Sequence, residues 1–512
     1  MTAASTIGPP TLAPERPAEH GRLADGALGL PSVLFCIVTG AAPLTAMLFN
    51  VPVAVQGGGY AAPAAFLIAT VALTIFSVGY IAMSRRVTSA GGFYTFVSRG
   101  LGRVAGVGAG LLIGLCYIIF VAAVIGVMGY FAATSIQTWS GVELPAWVYM
   151  AVGLAIMSTL AWFHIELTAK VLGVMLVAEV LALLVLGVAI LAHGGAEGLS
   201  LAPLDPAEVF GNAGAIKVFG SAATGIALFA AFWSWVGFEM APNYAEESRA
   251  PVRIARIATY GSVIGLGVFY MFVSYAYVVG WGPDASVQAV ADQFSGSFAS
   301  AFYPLSDRYV GTPLTTVIQL LAITSSFACA MAFFNTGARY LFALGREHVL
   351  PPALGSVSKR HSPAVASMTV TVIVALYIVA FTIYDPSTEG ALLKLGTWSP
   401  LLGVLGILAV QALVCVAIVR YFLTTARDGF HWFTTLAAPV LGGFAMAGAC
   451  LLLISNRATL AAAEDVPFIT LLPWVVLAMF VAGVVIALVM RTHRPDRYAR
   501  LGHFTLELEE SS

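Results

Sequence analysis

Charge is what this sequence has least of. Only 10% of its 512 residues are Asp, Glu, Lys or Arg, and the signs cancel to a formal net charge of −1. No basic field remains to hold nucleic acid, so no such partner is expected. Cysteine is scarce and odd in number: Cys36, Cys116, Cys329, Cys415 and Cys450. With neither metal-ligand spacing nor a disulfide framework, they read as small apolar packing residues. A phosphate-cradling glycine loop and a clustered nucleophile and base are also missing. Neither an ATP-driven machine nor an enzyme finds support, and no cofactor or metal is expected.

Apolar residues fill the space instead, at 59% of the chain and a mean hydropathy of +0.91. Such a composition belongs to an all-α polytopic membrane protein. A helix needs about 20 apolar residues to cross roughly 30 Å of hydrocarbon. About twelve runs qualify: 31–55, 61–83, 104–135, 145–163, 168–192, 219–244, 257–281, 313–344, 363–384, 397–424, 434–455 and 469–490. Residues 1–28 lack an apolar core and read as a flexible tail rather than a leader or a span. Residues 491–512 form a second tail, whose acidic stretch from Leu501 to Ser512 suits solvation.

With the N-terminus inside, twenty of the twenty-four Lys and Arg residues face the cytoplasm, leaving Lys217, Arg308, Lys394 and Arg457 outside. The positive-inside rule therefore places both termini in the cytoplasm, with the chain in the cytoplasmic (inner) membrane. The acids say more. Of 25 Asp and Glu, only Glu179 and Glu239 fall within the spans, while all eight histidines lie in loops, tails or span ends. An ionisable group at membrane depth is a functional candidate by default. Glu179 stands about 15 Å up the fifth span at 1.5 Å per residue, where it cannot snorkel as Lys170 can. It is either protonated and donating one hydrogen bond, or ionised against a cation, and both states invite proton or ion chemistry.

Two spans are interrupted. The first carries Gly40-Ala41-Ala42-Pro43-Leu44-Thr45, in which a proline deep in an apolar helix breaks or kinks it near 40–44. The sixth carries Phe232-Trp233-Ser234-Trp235-Val236-Gly237-Phe238-Glu239, with its break near Ser234 to Gly237. The second break falls five helices after the first, which points to a transporter of inverted repeats whose site lies where the breaks meet. Between them, Tyr117 in span three either faces that site or bonds a neighbouring helix. In span eight Ser325 and Ser326 either help ligate a cation or bond the carbonyl four residues back. The loop after span two, with its glycine pair and aromatics, is a short structured element or a plain basic anchor. Pro400 lies near the outer end of span ten, a candidate for an outer gate, and the last two spans read as scaffold or oligomer contact.

The chain resembles bacterial members of the amino acid–polyamine–organocation transporter superfamily. The resemblance rests on Ser89-Ala90-Gly91-Gly92-Phe93-Tyr94 with Arg99 to Gly102, Trp-Ser-x-x-Gly-x-Glu at 233–239, and Glu246-Glu247-x-x-x-Pro251. It also rests on Arg339-x-Leu-x-Ala-x-x-Arg346, followed by Leu350-Pro351 and Ser362-Pro363. It implies a five-plus-five inverted-repeat core, here 29–205 and 206–425, plus two further helices within 426–490, and alternating access to a small-molecule substrate. In such relatives amides after the first break hold the substrate carboxylate, which points to Leu44 and Thr45. Carbonyls at the sixth-helix break hold the amino group, which points to Phe232, Trp233 and Ser234. Trp233 matches a gating aromatic and Glu239 a coupling carboxylate.

Two departures stand out. Pro43 replaces part of a glycine-rich turn and offers no amide proton, which opens the door to a substrate without a carboxylate. Glu179 sits where some proton-coupled relatives carry a lysine. The expected protein is a secondary transporter for an amino acid or related amine, proton-coupled or exchanging, with Trp233 and Trp235 supplying apolar or cation–π surface. The alternatives are a polyamine or simple-amine permease, and a membrane sensor that binds without transport.

Overall fold

The computed structural model describes residues 29–87, 91–162, 165–211, 224–240, 242, 248, 251–295, 300–358, 362–463 and 466–502. The tail 1–28, Ser89, Ala90, Lys217, Glu246, Glu247 and 503–512 lie outside the described residues, as does the side chain of Lys170.

The first helix stops where proline forces it to. α1 (Leu30–Ala41) gives way at Ala42, whose φ of 42° is left-handed, and α2 (Pro43–Gly58) begins one residue later. Pro43 lacks an N–H, its ring clashes with the carbonyl four residues back, and it drives the preceding residue out of the helical region. The Ala42 N–H still reaches the Val38 and Thr39 carbonyls, each at 3.1 Å. The break expected at 40–44 therefore falls at Ala42.

α3 (Ala62–Ser84), α4 (Phe93–Leu101), α5 (Arg103–Ser140), α6 (Ala146–Trp162), α7 (Ile165–Ala192) and the short α8 (Pro206–Gly211) follow. After them come α9 (Thr224–Trp233), α10 (Pro251–Trp281), α11 (Pro283–Ser295), α12 (Phe302–Tyr309), α13 (Thr312–Arg346) and α14 (Ala364–Tyr384). α15 (Gly396–Thr424), α16 (Ala438–Leu460), α17 (Pro467–His493) and α18 (Pro495–Arg500) complete the chain. Among the described residues, nine helical stretches are long and apolar enough to cross a membrane, and two shorter apolar helices accompany them. One of the nine, Leu30–Ser84, has 55 residues. That is roughly 80 Å of helix, enough for two crossings hinged at Gly59–Ala61. Counting that stretch twice and adding the two shorter helices, the described residues supply twelve apolar helical segments, in line with the number expected from hydropathy.

Which faces meet lipid is written in the exposed side chains. Leu376 and Ile383 on α14, Phe444 and Leu451 on α16 and Trp474 on α17 are 66–78% exposed, which suits hydrocarbon rather than water. The core lies between α5 and α13, which pack along each other. A Cβ added at Gly337 would come within 3.1 Å of Ile118 Cγ1, so small residues let these helices approach closely.

α4 is a buried helix, which answers the question left open for the loop after span two. Phe93, Tyr94, Phe96 and Val97 are all buried, and the Tyr94 hydroxyl donates to Glu347 beyond α13. The Gly502 N–H donates to the same carboxylate at 3.1 and 3.0 Å, and Leu501 is 1% exposed. Leu501 and Gly502 are thus seated on the protein, while the acidic residues that follow lie outside the described residues.

A single ion pair holds the entry to α15. Lys394 Nζ lies 2.6 Å from Asp385 Oδ2 and 5.0 Å from the centre of the Tyr384 ring. Partial burial by itself raises the Asp385 carboxyl, but hydrogen bonds from Lys394 and Ser387 outweigh it and hold the group below its ordinary value. A depressed folded value means the pair stabilises above the unfolded carboxylate's value, about 3.9, and is lost as pH falls through the folded one. Melting temperatures recorded between pH 6 and 3 are expected to fall more steeply for the wild type than for Asp385→Asn. Parallel curves would remove the pair from the acid response.

Candidate functional site

α9 ends at Trp233 and the chain continues in tight turns to Met240. Trp235 N–H bonds to Phe232 O at 3.2 Å, Val236 to Trp233 at 3.0 Å, Phe238 to Trp235 at 3.0 Å and Met240 to Gly237 at 3.1 Å. Gly237 has a φ of 118°, a region essentially closed to other residues. It also touches the first break: a Cβ there would lie 3.0 Å from the Gly40 carbonyl carbon and 3.2 Å from the Ala41 nitrogen. The two interruptions therefore meet backbone to backbone.

A buried acid stands at each break. Glu239, 3% exposed, accepts the Tyr117 hydroxyl on Oε1 at 2.6 Å and the Gly237 N–H on Oε2 at 3.1 Å, so it closes the turn in which it sits. Its backbone carbonyl takes the Tyr80 hydroxyl at 2.7 Å. Glu179, 2% exposed, accepts Ser325 Oγ on Oε2 at 2.7 Å and the backbone amide of Leu44. It caps the start of α2, where unpaired amides and the helix dipole favour an anion. Among the described residues neither carboxylate has a cationic partner.

The other groups around the first break are largely spoken for. Gly40 O accepts the Cys329 thiol at 3.1 Å and Ala41 O the Tyr270 hydroxyl at 3.3 Å. Ser326 donates to Ala322 O, four residues back, at 2.7 Å, and Thr45 Oγ1 lies 3.1 Å from Ser326 Oγ. At the head of α2, Pro43 has no amide proton and Leu44 gives its own to Glu179. The Thr45 amide is left free among the described residues.

A cavity of about 60 Å³ opens between the breaks. Gly40, Ala41, Ala42 and Thr45 line it from the first break, and Trp233, Ser234 and Val236 from the second. The wall of α2 continues through Ala46, Phe49 and Asn50, one helical stripe at spacings of three and four. Phe120, Ala123, Val124 and Val127 make the same stripe on α5. Cys329 and Phe333 of α13 and Gly396 and Pro400 of α15 close the remainder.

Of the residues singled out from sequence, Gly40, Ala41, Ala42, Thr45, Trp233 and Ser234 line this cavity. Pro43, Leu44, Tyr117, Phe232, Trp235 and Gly237 do not. Trp235 is fully buried, with its indole N–H on Val263 O at 3.2 Å and its ring 5.0 Å from Tyr270. Tyr117 is bonded to Glu239 and stacked 5.8 Å from Tyr340. Glu179, Glu239, Ser325 and Ser326 stand behind the lining rather than in it. Asn50, Phe49, Phe120 and Phe333 were not foreseen. Their signal was the helical spacing from Ala42 along α2 and the three-and-four pattern on α5.

Comparison with known proteins adds identity to this geometry. The family described as amino acid permease matches residues 28–499. The chain belongs to that family. It is 24% identical over 358 residues to the branched-chain amino acid permease BcaP of Lactococcus lactis, covering 66% of this chain and 72% of that one. It is 24% identical over 311 residues to the aromatic amino acid transport protein AroP of Escherichia coli, 60% of this chain and 64% of that one. The same identity holds over 327 residues with a probable GABA permease of Pseudomonas aeruginosa, 62% of this chain and 65% of that one. The alignments to the last two span just under two thirds of those proteins. An amino acid permease must place its substrate inside the bilayer, and the permease described here has its cavity between two interrupted apolar helices.

Proposed function

We propose that this protein carries a small amino acid across the cytoplasmic membrane by alternating access, coupled to protons or by exchange, with its termini in the cytoplasm. The observation that carries the reading is the cavity between the two breaks. Helix ends there present the positive end of α2 and the negative end of α9 to one small space, which suits the two charges of a zwitterion. The Thr45 amide is placed for the carboxylate, the Trp233 and Ser234 carbonyls for the ammonium, and Trp233 covers it. We take 29–205 and 206–425 as the two inverted repeats, because the interruptions occupy matching places in each. Glu179 and Glu239 are the candidates for coupling, since each ties a break to a group able to carry a proton.

Size narrows the substrate. At about 10–15 Å³ per water-sized occupant, the cavity of about 60 Å³ has room for roughly four to six such occupants, which suits a small amino acid. Purified protein is expected to bind glycine, alanine and serine more tightly than tryptophan by about tenfold, since a large side chain must displace Trp233 or Phe333. Equilibrium binding or ligand-induced thermal shift across the amino acids measures this. Equal affinity for alanine and tryptophan would count against a cavity of this shape as the bound state.

A second reading follows from one observation. With Pro43 lacking a donor and Leu44 engaged by Glu179, α2 offers a carboxylate a single amide. A simple-amine or polyamine permease needs none. Competition by decarboxylated analogues decides between them, because an amino acid site loses them and an amine site keeps them.

A further inference from the structure

We propose that the side-chain oxygen of Asn50 accepts an N–H from the substrate's amine, so that this permease selects amines still carrying a proton on nitrogen and rejects quaternary ammonium compounds. The inference rests on the cavity between the breaks being the substrate site.

Asn50 is 3% exposed and lines the cavity. Its Nδ2 donates to Ser234 Oγ at 2.8 Å, joining α2 to the end of α9. The direction of that bond is fixed by Ser234, whose one hydroxyl proton goes to Ala230 O at 2.9 Å and leaves only lone pairs for Asn50. The amide must therefore turn its NH₂ to Ser234, which settles which atom is the oxygen. That oxygen is buried and has no partner. A buried acceptor left unmade forfeits its hydration with nothing in return, so it calls for a donor brought from outside.

The surroundings say what kind of donor. Phe49 and Trp233 stand edge to face at 5.3 Å, and Phe333 and Phe120, their rings 5.1 Å apart, line the same cavity. Ring faces attract cations, and the C-terminal end of α9 is the negative end of its dipole. A carboxylate or hydroxylate at Asn50 Oδ1 would meet a second acceptor. An ammonium meets an acceptor, aromatic faces and a negative helix end together. A trimethylammonium group would satisfy the rings and the dipole but leave Oδ1 unpaired. Asn50 is thus a specificity determinant distinct from the backbone carbonyls at the break.

The test uses full-length protein in nanodiscs with glycine, alanine and serine, each paired with its N,N,N-trimethyl derivative. The wild type is expected to prefer the parent by at least about tenfold, the size of one hydrogen bond to a charged group. Asn50→Leu is expected to weaken the parent by about 10- to 100-fold and bring the pair within about twofold. Asn50→Asp keeps an acceptor and so retains the preference. A wild type that binds parent and trimethyl forms equally overturns the proposal whether or not any variant folds, and so does an Asn50→Leu protein that keeps the wild-type preference. If the wild type binds none of the six compounds, the reading of the cavity falls along with it.

Discussion

Gly237→Ala is expected to abolish transport and to destabilise the protein. The φ of 118° costs a residue with a Cβ about 1–3 kcal/mol, and pressing that Cβ against Gly40 and Ala41 adds about 1–3 more. The second cost is the informative one, because it can be relieved only by separating the two breaks. A separated pair no longer encloses the cavity. Binding should therefore be lost even in the fraction that folds, measured by titration of the monodisperse protein alongside its melting curve. Wild-type affinity in Gly237→Ala would show that the backbone contact is dispensable.

Glu179→Gln is expected to uncouple transport from the pH gradient. A carboxyl at this depth needs a proton, a cation or a full set of donors. Glu179 has donors from Ser325 and Leu44 and no cationic partner among the described residues. A permease that moves one proton with each substrate accumulates it about tenfold per unit of pH difference, by the free energy of one pH unit. Glutamine exchanges no proton, so accumulation in vesicles should drop to equality across the membrane while exchange of internal for external substrate persists. Unchanged accumulation would remove Glu179 from the coupling step. Glu239→Gln provides the contrast: because Glu239 also closes the turn through the Gly237 N–H, it should weaken binding as well as coupling.

Much of this was legible in the sequence, for physical reasons that differ from one residue to the next. Pro43 announced the first break because a missing N–H acts locally, wherever the helix is packed. Glu179 and Glu239 announced themselves by depth alone, since so few charges enter the spans. Their partners were not legible, because Ser325, Leu44, Tyr117 and Gly237 reach them only through the fold. Trp235 shows the limit most clearly. Two residues beyond Trp233 in an apolar run, it looked like a second wall of the site, yet α9 ends at Trp233 and helical spacing no longer governs which way the residues after it face. Trp235 turns to Tyr270 and Val263 instead.

Asn50 was hidden by the opposite bias. Attention to ionisable groups passed over a neutral amide, although Ala42, Thr45, Ala46, Phe49 and Asn50 form one continuous stripe beyond the break. The aromatic wall of α5 and α13 was hidden by composition, because phenylalanine in an apolar helix looks the same facing lipid or facing a cavity.

Counterflow in vesicles tests the central claim most directly. Purified protein is reconstituted, loaded with unlabelled alanine and diluted into labelled alanine, with and without Gly237→Ala. The expected result is a transient, saturable overshoot of label in the wild type and none in the variant. Binding of alanine without any overshoot would contradict a permease and favour a membrane sensor.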